Sequence, residues 1–78
     1  MLIVNQMRTE ALNARDLNKI RIEDVDVDGI PLPAIVAYGW DCDDSRHVLG
    51  TYGTDEDAKD SLKDLALSWE SVKCYFME

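Results

Sequence analysis

The sequence predicts an α+β fold: an antiparallel β-sheet, a meander of about five strands, with one long α-helix packed on one face and followed by a C-terminal strand. Three observations carry that prediction. Runs of β-branched and aromatic residues recur between polar, glycine-bearing turns. One capped, amphipathic stretch follows Thr54, and a short apolar run returns after it. The 78 residues make a single domain, 1–78, with a core small enough to sit near the lower limit for independent stability.

Residues 1–6 read as a first strand, with Leu2 and Val4 on one face and Ile3 on the other. Residues 9–17 read equally as a short strand or a helical turn around Ala11-Leu12-Asn13-Ala14. Residues 19–27 and 34–40 are the best strand candidates and pair across a loop over 28–33. A polar turn at Asp41-Cys42-Asp43-Asp44-Ser45 then leads to a strand over 46–52. The helix is expected over 55–70. Thr54 is its N-cap, Asp57 stands at the capping-box position, and Asp55, Glu56 and Asp57 place negative charge where the helix dipole favours it. Ala58, Leu62, Leu65, Ala66 and Trp69 form one apolar stripe, with Lys59, Asp60, Lys63 and Asp64 on the solvated side. Residues 72–77 make the final strand.

The stretch Asp24-Val25-Asp26-Val27-Asp28-Gly29 invites two readings. As a loop it opens like an EF-hand calcium site, with the glycine correctly placed. Counting on from Asp24, however, the position that needs a bidentate acid is Ile35, and Pro31 and Pro33 interrupt the helix that should follow. As a strand, Ile20, Ile22, Val25 and Val27 are apolar at roughly alternate positions, with a slip at Glu23-Asp24 compatible with a bulge. Asp28-Gly29 then supplies hairpin turn chemistry, and the Pro-x-Pro run lengthens the loop. The strand reading accounts for more residues, so no metal site is expected.

Charge is the strongest compositional signal. Sixteen acidic residues against eight basic ones give a formal net charge of −8. Phosphates would meet a negative field, which disfavours direct nucleic-acid binding; a basic protein partner would be attracted. A hydrophobic content of 46% is too high for a disordered acidic tail, so the charge decorates a folded body. Solubility alone explains such a balance as well. Cys42 and Cys74 lack CxxC or Cys/His spacing and read as two reduced, partly buried thiols. The first residues lack the length and basic flank of a signal peptide, and no apolar run reaches membrane-spanning length. The expectation is a cytoplasmic protein with no membrane contact.

Catalysis is not expected, and neither is a cofactor. His47 is the only histidine and lies inside a strand. Cys42 and His47 are close enough in sequence for a nucleophile–base pair, but no orienting group or oxyanion-hole motif accompanies them. Gly50-x-x-Gly53 is too short for a phosphate loop and precedes no phosphate-binding lysine.

The segments Met1-Leu2-Ile3-Val4-Asn5-Gln6, Lys19-Ile20-Arg21-Ile22, Val48-Leu49-Gly50-Thr51-Tyr52-Gly53-Thr54, Glu56-Asp57-Ala58-Lys59 with Leu62, and Tyr75-Phe76-Met77 together carry a resemblance. The chain resembles a family of short uncharacterised proteins from Gram-positive bacteria, their phages and their integrative elements. The resemblance implies a fold and a mobile-element setting, with no catalytic residues to transfer. Two departures from the family pattern are an insertion-like loop over 24–33 and the more acidic Asp41-Cys42-Asp43-Asp44 turn.

The charge and the resemblance together lead to the expectation of a small acidic protein-binding module, a phage or mobile-element inhibitor acting as a nucleic-acid mimic on the basic surface of a host protein. The candidate partner-binding residues are Asp41, Asp43 and Asp44, then Asp24, Asp26 and Asp28, then Asp55, Glu56 and Asp57. The alternative is a structural small domain that self-associates into a homo-oligomer through an exposed sheet edge, its first or last strand.

Overall fold

The computed structural model of the chain describes residues 1–40 and 46–78. It is α+β, with one α-helix and six strands among the described residues. The strands form two three-stranded sheets, in place of the single meander of about five strands expected.

The larger sheet is a meander built on a long hairpin. Strands β3 (Leu17–Val27) and β4 (Ile30–Gly39) are joined by Asp28 and Gly29 alone. Both turn residues have left-handed backbones, with φ of +52° and +83°, as in the tight turn whose twist matches its flanking strands. Glycine enters that region without a Cβ penalty, and aspartate tolerates it.

The longer loop over 28–33 therefore does not form. Pro31 and Pro33 lie within β4, opposite Asp26 and Asp24. Backbone parity explains how a central strand accepts two prolines. Val27 and Ile30 flank a two-residue turn, so they and every second residue beyond them bond across the hairpin. Pro31 and Pro33 belong to the other set, which faces β5 (Arg46–Thr51). There the Tyr52 N–H donates to the Pro33 carbonyl at 2.8 Å. The missing proline N–H groups take nothing from the β3–β4 ladder.

Nor is there a bulge at Glu23-Asp24. The register runs unbroken from Lys19 opposite Tyr38 to Val27 opposite Ile30, and the irregularity lies between Leu17 and Lys19. The apolar pattern changes phase because these residues sit on opposite faces of the strand, and only the first two adjoin the core. Ile20 and Ile22 pack against the core, whereas Val25 and Val27 point to the opposite face. On that outer face the Tyr38 hydroxyl donates to Glu23, which also pairs with Arg21 at 3.0 Å and Arg46 at 3.8 Å.

The smaller sheet has β1 (Leu2–Val4) between β2 (Ala11–Asn13), antiparallel, and β6 (Cys74–Phe76), parallel. β6 follows α1 and pairs with β1, so the last strand joins the first one and does not extend the β3–β4–β5 meander. Asn5, buried beside β1, holds the β1–β2 turn: its Oδ1 accepts the N–H groups of Thr9 at 2.9 Å and Glu10 at 3.1 Å. Residues 9–17 prove to be strand and turn in succession, since a 3₁₀ turn (Ala14–Asp16) follows β2.

Gln6 joins the two sheets. Its backbone N–H donates to the Leu49 carbonyl at 2.7 Å, and its Oε1 accepts the Thr51 N–H at 3.0 Å. Gly50 allows that approach, because a Cβ there would stand 3.0 Å from Gln6 Cδ. Between the sheets and the helix lies a core of Ile3, Ala14, Ile35, Ala37, Leu49, Leu65 and Met77.

Helix α1 (Asp55–Leu67) starts where expected, with Thr54 Oγ1 accepting the Asp57 N–H at 3.1 Å. It ends earlier than expected. Ser68 caps it, and Glu70 turns left-handed with φ of +63°. Ala58 and Leu65 are buried, but Ala66 is exposed and Trp69 is 37% exposed, so the stripe loses its C-terminal end to solvent. The Tyr75 hydroxyl of β6 donates to Asp64 of α1. Burial, and then that hydrogen bond, push the Tyr75 hydroxyl well above its ordinary value of 10.0.

Leu65 is 1% exposed in the core, so Leu65→Ala is expected to destabilise the fold by about 2–5 kcal/mol, read by urea unfolding. Tyr75 gives a pH prediction. Its ionisation is harder in the folded chain than in the unfolded one, so its contribution is complete below pH 10.0 and declines as pH rises beyond it. Thermal melts above that pH should lose stability less steeply in Tyr75→Phe than in the native protein.

Candidate protein-binding surface

The hairpin and the start of the helix bring two of the three acidic groups together. Ile20 and Ile22 face the core, opposite Ala37 and Ile35. Asp24 and Asp26 continue the same face two and four positions further on, opposite Pro33 and Pro31. Asp28 follows in the turn. Pro33 in turn accepts from Tyr52, and the chain then needs only Gly53 and Thr54 to reach the first turn of α1. Asp24, Asp26, Asp28, Asp55, Glu56 and Asp57 therefore share one end of the larger sheet, and all six are exposed.

Their electrostatic situation differs from that of the acids that hold the fold. Glu23 pairs with two arginines, Glu10 meets His47, and Asp64 accepts from Tyr75. Among the described residues, none of the six clustered carboxylates is in an ion pair. Asp55, Glu56 and Asp57 have a local reason to be there, since they lie at the positive end of the helix dipole. Asp24 and Asp26 have none. Like charges on alternate residues of one strand face stand about 7 Å apart and repel.

Asp41, Asp43 and Asp44 lie in 41–45, outside the described residues, as does Cys42. Trp40 and Arg46, on either side of that segment, are at the end of the sheet opposite the Asp28–Gly29 turn. Cys74 is an exposed free thiol, where a partly buried one was expected. His47 of β5 sits 3.2 Å from Glu10 through its Nδ1, a link between the edge of β5 and the start of β2.

One feature has no counterpart in the sequence reading. A groove of about 480 Å³ runs between β3 and α1, lined chiefly by Leu17, Ile20, Leu62, Leu65, Ala66 and Trp69. No residue of β4 lines it, so it opens along the outer edge of β3. Ala66 and Trp69 were assigned to the core by periodicity alone.

No family model matches the chain, and neither does any curated protein or solved structure.

The geometry also bears on the calcium motif. Extended strand directs the Asp24 and Asp26 carboxylates outward in parallel, and Asp28 leaves in the turn, whereas a calcium ion needs six or more oxygens at about 2.3–2.6 Å. Among the described residues, no group of three or more His, Cys, Asp or Glu is placed to hold a metal ion. Millimolar calcium should leave the melting temperature unchanged; a rise that Asp26→Asn abolishes would contradict this.

Proposed function

We propose that the protein is a small acidic binding module that occupies a basic, nucleic-acid-binding surface of a host protein, a defence protein for example, and so acts as an inhibitor borne by a phage or mobile element. The observation that carries this reading is the set of six exposed carboxylates at one end of the larger sheet, in no ion pair among the described residues, in a chain of net charge −8 whose other described acids include several with partners. Like-charge crowding destabilises a small domain, and a basic partner relieves it on binding. The mobile-element setting comes from the family resemblance, and the basic partner from the charge.

The hairpin acids are the better test, because changing the helix-start acids would also weaken α1. Asn replaces Asp at 24, 26 and 28 with little change in shape, and at the left-handed position 28 it is well tolerated. The triple variant should fold as the native chain does and associate with its partner about tenfold more slowly at low salt, with a flatter salt dependence. The partner captured from host lysate should bind nucleic acid and be released by added DNA. Unaltered capture by the triple variant, or partners insensitive to salt and to DNA, would leave the acidic end as a solubility feature.

A further inference from the structure

We infer that the outer edge of β3 is a strand-addition site for an extended basic segment of another protein, one with basic residues at alternate positions followed by apolar residues at alternate positions. This inference rests on the proposed reading of the acidic end as a docking surface and names what docks there and how.

Hairpin parity decides which backbone groups are available. Lys19, Arg21, Glu23, Val25 and Val27 bond to β4, so the N–H and C=O groups of Ile20, Ile22, Asp24 and Asp26 face the outer edge. Among the described residues β3 has no strand beyond it, and those groups have no backbone partner. The edge is eleven residues long, and from Lys19 to Val27 it is uninterrupted by a bulge or a proline. Long flat edges of this kind template the pairing of another strand.

The side chains on the helix-facing side then specify what that strand must carry. At the Leu17–Ile20 end an incoming strand directs alternate side chains into the apolar groove against Leu62, Ala66 and Trp69. At the other end the same alternation meets Asp24 and Asp26. Antiparallel pairing is the stronger ladder, and it sets the amino end of the segment beside Asp26. The segment therefore reads, from its amino end, basic residues at alternate positions and then apolar ones. A second copy of this chain is the poorer occupant: each copy carries −8, and the alternate basic residues of its own β3, Lys19 and Arg21, lie on the outer face against Tyr38, while its helix-facing set is Ile20, Ile22, Asp24 and Asp26. On an open edge strand, the exposed carboxylates of Asp24 and Asp26 hinder self-pairing while admitting a cationic strand.

The probe is a synthetic peptide, blocked at both ends, with lysines at alternate positions in its first half, leucines at alternate positions in its second half and threonines between. Amide hydrogen exchange of the native protein is followed as the peptide is added. Binding should slow exchange at Ile20, Ile22, Asp24 and Asp26 about tenfold or more, leaving the already bonded Arg21, Glu23 and Val25 unchanged. Asp24→Asn with Asp26→Asn should weaken peptide binding about tenfold at low salt, and Trp69→Ala should weaken it to an extent that salt does not alter. A peptide N-methylated on the lysines and leucines has the same charge but cannot pair along this edge, because the residues opposite Ile20, Ile22, Asp24 and Asp26 are the ones whose N–H groups would bond to β3. If it binds as tightly as its parent, strand addition is wrong and attraction to the acidic end alone survives. Protection of the same amides that grows with protein concentration, in the absence of peptide, would make a second copy the occupant and overturn the proposal. Failure of both peptides, together with capture that is indifferent to salt, would remove the acidic docking reading as well.

Discussion

The two-residue turn at Asp28–Gly29 is the constraint on which most of this molecule depends. A side chain in a strand changes face with every residue, so a turn one residue longer would invert everything paired across the hairpin. With the turn as it stands, Ile20 and Ile22 face Ile35 and Ala37 on the core side. The prolines direct their missing donors away from β3, and Asp24 and Asp26 stay on the side where α1 lies. The strand order leaves β3 with an open edge, and that parity decides which backbone groups face it and which side carries the acids.

The second sheet is held by means suited to very short strands. β1, β2 and β6 have three residues each, too few to stand as an independent sheet. Polar side chains supply the missing connections. Asn5 closes the β1–β2 turn, and Gln6 fastens β1 to β5 while its Nε2 donates to the carbonyl of Glu78 at 2.9 Å. Ile3 and Met77, both fully buried, then tie this sheet into the same core as Leu49 and Leu65. In a chain of 78 residues, one shared core is more stable than two small ones.

Acidic residues serve two purposes in this fold, and position separates them. Glu23, Glu10 and Asp64 lie where a cation or a hydroxyl reaches them, and each links elements distant in sequence. The carboxylates at the hairpin tip and the helix start face water together. Their mutual repulsion is tolerated because the structure beneath them is set by backbone geometry: a left-handed turn at one side and a capped helix at the other. Neither depends on charge neutrality.

The features that the sequence determined by itself are those set by neighbours in the chain. Thr54 and the acids after it mark the start of α1, the β-branched runs mark β3, β4 and β5, and Asp28-Gly29 marks a turn, because caps, turns and strand alternation act over a few residues. The same local chemistry argues against a calcium loop through Ile35. Tertiary structure decided the rest. The parallel pairing of β1 with β6 joins residues at opposite ends of the chain, and no local pattern encodes which short strands will meet. The proline tolerance of β4 depended on which edge faces which neighbour, a matter of parity across the whole sheet. Ala66 and Trp69 carry the periodicity of core residues, yet periodicity records only the side on which a helical residue would lie, and Trp69 falls beyond the end of α1. How far the sheet extends beneath that face is a property of packing, and there it leaves them lining an open groove.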